Sequence, residues 1–491
     1  MISQIKNLIE FPDLPILKYD HKATLKSLKN GDIKDAGISC KEPIDHIVNY
    51  GLDEGLLQEG LKAFPDPRKN FEVPIEVLLL PQIIQRLNDE HSLVSAPYML
   101  NSAELITKLG YSAEVLENGF NERNIHPRET AFHGETLKHV LLAIKPSDII
   151  DWFNHTWSSL LQKHSPGKTG IYIMDGMKIH IPPHLFEKFQ NAGVVKNNDG
   201  DRGYGYKVVW IYEVIDRKGV IRGVKFGPIN DHDLKLGKEL VDGFDFGNNA
   251  LLIMDRGFTD ASWITSLKQD RGIDVCIPLK RNMELSELAV WNTLHSNEWE
   301  DHPTRDGQQV RELESDELVS KSCPVWGSGV LVKFKKKNGN PEFIVILDTR
   351  KRISSKDLLE TYDLRSEIEE SHRQMKCFQG METLPSKKYV QVVFRVLMGL
   401  IGYNLFNLFL NSEGCSNFKD YTLKLFRQKR KVKDKNPDII VYTETTFTVV
   451  KTFDFIHLIL GLNDRVQEKL RVLFKDLSTV TAYGTFFGPS P

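Results

Sequence analysis

Cysteine is scarce in this chain. There are five in 491 residues (Cys40, Cys276, Cys323, Cys377 and Cys415), each alone in its stretch, with no Cys-x-x-Cys pair. That spacing excludes a disulfide-stapled scaffold and a cysteine-rich zinc site, and it points to a reducing compartment. Net charge is nearly absent too, at −2 from 64 basic and 66 acidic residues. A surface for nucleic acid must therefore be a local patch and not a property of the whole chain. Internal repeats and low-complexity linkers are missing. The opening segment MISQIKNLIEFPDLP lacks the basic start, apolar core and small-residue cleavage site of a signal peptide. Only one long apolar run occurs, Val392 to Leu410, close to the length that spans a bilayer. Arg395, Asn404 and Asn407 interrupt it, so a buried helix of a large core is expected, in a cytoplasmic protein with no membrane partner.

What is present is an ordinary globular composition, 41% hydrophobic and 26% charged, in a chain long enough for about three domains. Residues 1–165 read as mostly helical. PIEVLLLPQIIQRL (74–87) is apolar with a break expected at its inner proline, and NSAELITKLGYSAEVLENGF (101–120) holds two short helical patterns around Gly110. Ser102 and Ser112 stand where helix N-caps belong. Two short helices about a glycine are a candidate helix-turn-helix, although the second carries no basic residues.

The texture changes near Pro166–Gly167. GIYIMDGMKI (170–179) reads as a strand ending in a carboxylate, and 203–216 and 220–226 as two more strands. Helical character over 231–244 precedes NALLIMD (249–255), an apolar run typical of a strand buried on both faces. A helix over 259–272 and a strand over 273–279 complete the order βββαβαβ. Residues 281–349 break this rhythm and contain a hairpin, 329–337 with 341–347, whose turn is Asn338–Gly339–Asn340. A helix follows at 355–376. The stretch 419–435 holds eight Lys or Arg against two Asp.

Three acidic residues stand out: Asp175 after IYIM, Asp255 after LLIM, and Glu369 in the late helix. Carboxylates at the ends of neighbouring buried strands can face each other, and one more from a helix above would complete an oxygen-donor site for hard divalent cations. Any one such Asp is more simply a turn residue. Tyr362, Arg365, Glu369 and Lys376, placed on one continuous helix at about 100° per residue, fall within an arc of roughly 60°. Leu364, Ile368 and Met375 form a separate apolar stripe. A carboxylate flanked by cations and a phenol suits phosphate-bearing substrates, though a solvated face with an Arg365–Glu369 ion pair is the plainer alternative.

With those residues in view, the sequence resembles the bacterial insertion-sequence-four group of DDE transposases. Tyr362, Arg365, Glu369 and Lys376 fit its Y-x2-R-x3-E-x6-K signature, and YIMDGMKI and LLIMDRGF fit its two Asp blocks. The resemblance covers about residues 166–412. It implies an α/β RNase H-like catalytic core interrupted by a β-rich insertion domain, with a mostly helical N-terminal domain and a mixed C-terminal region. The divisions expected are 1–165 (helical, binding DNA ends), 166–280 (first part of the core), 281–349 (insertion), 350–412 (second part, bearing Glu369) and 413–491 (basic, for DNA contact or dimerisation). Asp175, Asp255 and Glu369 would bind two Mg2+ ions, with Mn2+ as a substitute. The implied reaction is cleavage at terminal inverted repeats, followed by transfer of the 3′-OH into target DNA. Tyr362, Arg365 and Lys376 would hold phosphates of double-stranded DNA, and the family acts as a homodimer pairing two ends.

Among the remaining residues, Arg427, Lys429, Arg430 and Lys431 are the best local candidates for backbone contact. Lys335 to Lys337 could touch DNA or simply protect a strand edge. Trp299 and Trp326 are read as packing residues, Arg256 as part of a structural ion pair, and His372 as a non-ligand. A tyrosine recombinase using Tyr362 with Arg365, His372 and Arg373 is disfavoured, because in that group the tyrosine follows the His-x-x-Arg element. A domesticated DNA-binding protein without catalysis and a structure-specific nuclease on the same fold remain the alternatives.

Overall fold

The computed structural model describes residues 43–88, 96–100, 103–112, 114–120, 131–165, 168–196, 200–215, 218–292, 299–313, 327–335, 341–378, 381–384 and 386–412, together with a few shorter segments. The chain divides into two compact units. One comprises Met1–Ala143, Phe378–Gly380 and Ile401–Pro491, the other Ile144–Cys377 and Met381–Leu400.

The first unit is built on helices Pro43–Asp53, Leu56–Lys62 and Ile75–Asn88. The last runs straight through Pro81, where the sequence suggested a break. Leu78, Leu79, Leu80, Ile83, Ile84 and Leu87 are all fully buried around it. Burial on that scale offsets one missing backbone hydrogen bond. The candidate helix-turn-helix does not survive: its second helix is Val115–Asn118, a single turn, too short to lie along a major groove. Strand 35–39 pairs antiparallel with 438–442, which pairs antiparallel with 446–451, so segments from the two ends of the chain share one small sheet.

The second unit holds a ten-stranded mixed sheet. Its strands are β1 (Lys168–His180), β2 (Gly193–Lys196), β3 (Arg202–Ile215), β4 (Lys218–Pro228), β5 (Leu251–Met254), β6 (Asp274–Pro278), β7 (Glu300–Asp301), β8 (Gln309–Glu312), β9 (Ser328–Lys335) and β10 (Pro341–Asp348). Its helices include α1 (Asp233–Asp242), α2 (Ala261–Gln269), α3 (Glu284–Asn292), α4 (Ser355–Asp363), α5 (Arg365–Phe378) and the first half of α6 (Tyr389–Asn411), whose residues from Ile401 onward belong to the first unit. Strands β4, β3 and β1 run antiparallel, and β1, β5 and β6 run parallel. This mixed α/β arrangement fits an RNase H-like fold, and the order βββαβαβ read from the sequence matches it with one addition, the short edge strand β2. Gly205 lies where β3 passes from β2 to β4; its φ is +147°, and a Cβ there would sit 1.9 Å from the Ile179 carbonyl oxygen.

Helices α1 and α2 cover one face of the sheet. Met174, Ile211, Leu252 and Met254 from the strands pack there against Leu240, Phe258 and Ile264. The alternate side chains point the other way, where Trp210 meets His372 of α5 and Tyr206 stacks on Tyr389 of α6. Helix α6 is the one helix among the described residues long and apolar enough to cross a membrane, and its most apolar stretch is wholly buried in the protein. The hairpin β9–β10 appears where the sequence placed it. Strand β10 pairs antiparallel with β6, so β7 to β10 prolong the core sheet and do not form a separate one. Leu331, Val345 and Leu347 pack there against Leu285 and Ala289 of α3.

Candidate active site

Strands β1 and β5 are in register at Ile171–Leu251 through Met174–Met254. The next residue on each is the aspartate, so Asp175 and Asp255 emerge side by side from adjacent parallel strands. The expectation that β1 ends at Asp175 was wrong, because the strand continues to His180. The reason lies in the neighbours. Strand β3 keeps offering ladder partners from Trp210 to Gly205, whereas β5 stops at Met254. Asp175 therefore marks the end of the parallel pairing and not of the strand.

The turn after Asp255 is fixed by its own sequence. Phe258 N–H donates to the Asp255 carbonyl (3.0 Å), and Thr259 Oγ1 donates to the carbonyls of Arg256 (2.8 Å) and Pro278 (3.1 Å). Phe258 is buried, and a Cβ on Gly237 of α1 would lie 2.8 Å from its ring. Asp260 then caps α2 by accepting from Trp263 N–H (2.8 Å). Arg256 is exposed and makes no ion pair among the described residues, contrary to the structural role expected of it.

The late helix is two helices. Helix α4 is capped by Ser354, whose side chain accepts from Asp357 N–H (3.1 Å), and ends at Asp363. At Leu364 the bonding tightens to i→i+3, from Leu364 N–H to the Thr361 carbonyl and from Glu367 N–H to the Leu364 carbonyl. The single arc drawn for a continuous helix is thereby corrected: Tyr362 belongs to α4, while Arg365, Glu369 and Lys376 belong to α5. Ile368 and Met375 are fully buried, as their spacing implied.

Arg365 is where the acidic residues converge. Its Nη1 donates to Glu369 Oε1 (2.8 Å), and its Nη2 lies 3.7 Å from Asp175 Oδ2 and 3.8 Å from Asp255 Oδ1. Asp175 Oδ1 also accepts from Gly176 N–H (2.8 Å). Burial raises the Asp175 carboxyl to about 6, a shift opposed by Arg365. Burial likewise pushes the Tyr362 phenol well above its usual value, and Arg365 counters only part of that. For Arg365, burial disfavours the charge, but Tyr362 and the three carboxylates outweigh it and hold the guanidinium protonated. Lys376 bonds instead to Glu382 (3.3 Å), two turns of helix from Glu369. His372 sits against the Trp210 ring at 4.7 Å, its Nε2 buried without a partner, and burial lowers it to about 3.

Residues 166–405 match the transposase DDE domain family. This segment is similar to transposase DDE domains. No curated protein matches the chain. The DDE match supports a transposase function with DNA as its partner.

Beside the carboxylates, the second unit opens into a cleft of about 570 Å³. Asp255, Tyr362 and Arg365 line it together with Arg305, Phe334 and Ile344 of the strand-rich segment. Arg256 and Arg281 add two more cations to its lining. Trp299 packs within that segment, beside Phe343 (6.2 Å) and under Lys333 (4.9 Å). Arg427, Lys429, Arg430 and Lys431 lie outside the described residues, as do Trp326, Lys336 and Lys337. Sequence reasoning missed Thr304, Arg305, Arg350 and Asp363, which cluster beside Tyr362. No periodicity or motif marks them, since the contacts join segments more than fifty residues apart in the case of the Thr304 and Arg305 pairings.

Proposed function

We propose that this chain is a DNA transposase of the insertion-sequence-four-like group, cutting at the ends of its element and joining the freed 3′-OH to target DNA. The observation that carries the reading is the convergence of Asp175, Asp255 and Glu369 on one guanidinium. Three carboxylates around a single positive group are oxygen donors of the chemistry Mg2+ or Mn2+ takes, although among the described residues they are not drawn together into a ready-made metal cluster. Asp175, Asp255 and Glu369 would hold the ions. When bound, the ions supply Lewis-acid stabilisation of the phosphodiester and a nucleophile available at neutral pH.

The protein's own contribution is positioning and charge. Arg365 can turn part of its fork toward a phosphate while retaining Glu369, because a guanidinium offers five donors in a plane. Tyr362, protonated throughout the physiological range, can donate its hydroxyl proton to a phosphate oxygen at the cleft wall. A phenol held neutral by burial is a poor nucleophile, which speaks against a covalent phosphotyrosine route. Of the cleft cations, Arg281 and Arg305 are paired with Glu342 and Asp363 of the same lining, which leaves Arg256 as the one placed to favour a polyanion. Two copies pairing two ends, and backbone contacts through Arg427, Lys429, Arg430 and Lys431, belong to the same proposal.

The test is cleavage of labelled DNA carrying the flanking element ends, in Mg2+ and in EDTA, for wild type, Glu369→Ala and Tyr362→Phe. Metal-dependent release of a 3′-OH, abolished in Glu369→Ala and reduced in Tyr362→Phe, is expected. Joining to a second plasmid distinguishes a transposase from a nuclease. Specific binding without cleavage in either metal would leave only a DNA-binding protein.

A further inference from the structure

The junction between α4 and α5 is gripped from the strand-rich segment 300–350. Asp363, the last residue of α4, accepts from Thr304 Oγ1 (2.9 Å) and pairs with the Arg305 guanidinium. Thr304 is itself set by His302, whose Nδ1 accepts from Thr304 N–H (3.2 Å). Two residues before Asp363, Thr361 Oγ1 accepts from Arg350 Nη2 (3.3 Å). Arg350 is fixed in turn by a bidentate pair with Asp348 (2.6 and 3.0 Å), a carboxylate with no exposed surface. The residue between the two anchored side chains is Tyr362, and the first residue of α5 is Arg365.

We propose that Arg305, Asp363 and Arg350 are positioning residues: they clamp the α4–α5 junction so that Tyr362 and Arg365 face Asp175 and Asp255 together. This deepens the reading of the site given above and rests on it for its effect on DNA cleavage. The argument turns on what these contacts are worth elsewhere. The Arg305–Asp363 pair is half-exposed on the arginine side, and such a pair contributes little to global stability. Here it acts at a one-residue interruption where helical bonding changes register, so its leverage is on direction. A rotation of α5 by one residue's worth of helical twist, about 100°, would carry Arg365 away from both aspartates. Burial of Ile368 and Met375 and the His372–Trp210 contact seat the body of α5, and the clamp sets the direction of its first turn, next to Leu364.

The clamp is tied to the core sheet through the pairing of β10 with β6. Asp348 is the last residue of β10 and pairs with Cys276 of β6. The arginine that reaches Thr361 is therefore anchored on the sheet that carries Asp255.

Asp363→Asn, Arg305→Ala and the double variant test the clamp in the full-length protein. Hydrogen exchange of amides 365–369 is the first readout, and it needs neither metal nor DNA. Faster exchange there, with the thermal midpoint within a few degrees of wild type, is expected of each single variant. The second readout is end cleavage: the rate should fall about 10- to 100-fold at saturating DNA, as for other small misplacements of reacting groups, while DNA affinity is retained. The double variant should lose no more than the worse single one, and Arg305→Lys should recover part of the rate. Unchanged exchange in both single variants would overturn the clamp, as would losses that multiply in the double variant. If wild type itself cleaves nothing, the transposase reading fails, and the exchange measurement still decides whether the junction is clamped.

Discussion

Arg365 serves as counter-ion to three carboxylates at once, two of them at 3.7 and 3.8 Å and one at 2.8 Å. Burial makes the charged form of Asp175 costly, and the one guanidinium it shares with two other carboxylates offsets only part of that cost. The sign follows from Asp175. Its folded-state carboxyl titrates near 6, above the ordinary 3.8. Its contribution to stability is therefore fully present below pH 3.8 and is lost as pH rises through 6. Asp175→Asn should stabilise the metal-free protein at pH 8 by roughly 1–3 kcal/mol, seen as a higher melting midpoint in EDTA, with the gain gone by pH 4. Excess Mg2+ should raise the wild-type midpoint and not that of the variant. His372 works in the opposite direction. Burial depresses it to about 3, so its contribution is present above pH 6.5 and is lost as pH falls through 3. His372→Phe should lessen the loss of stability measured by urea denaturation between pH 6.5 and pH 4. Equal slopes for variant and wild type would show that this ring is not the acid-sensitive group.

At the scale of elements, the core strands and helices were legible because their signals are local. Runs of strand-forming residues set β1, β3 and β4 and the apolar run set β5, whereas the caps Ser354 and Asp260, which begin α4 and α2, were not singled out from the sequence. Asp255 could be located because a buried run that stops abruptly leaves its next residue at a surface. What escaped was set by partners distant in sequence. The length of β1 beyond Asp175 depends on β3, and the break at Leu364 coincides with donors supplied by Thr304 and Arg305. Pro81 misled for the same reason, since burial of its neighbours overrides its local preference. Packing between elements also makes a prediction. Gly237 lets α1 approach Phe258, with space for hydrogen alone. Gly237→Val should displace Phe258, destabilise the unit by about 1–3 kcal/mol, and shift the turn that carries Asp255. Chemical denaturation would measure the loss; an unchanged midpoint would mean that the turn yields freely.

At the scale of the whole molecule, each unit is discontinuous in sequence. The first gathers its small sheet from strands 35–39 and 438–451, including the pairing of 446–451 with 438–442. Ending the chain at residue 412 would leave the 35–39 strand without its described partner, an exposed edge of the kind that pairs with other chains. Such a truncated protein should form concentration-dependent aggregates by size-exclusion chromatography, and a monodisperse profile would show that this pairing is dispensable.

The pairing of β6 with β10 has a further consequence, in time. Cys276 meets Asp348, so the ribosome must add about seventy residues after one strand before its neighbour exists. At roughly 5–20 residues per second that is several seconds, during which this edge of the sheet stands open. Both aspartates are already in the nascent chain by then, but Glu369 is not. A translation product that stops before Glu369 thus carries two of the three carboxylates that converge on Arg365, and lacks Arg365 itself when it stops before α5.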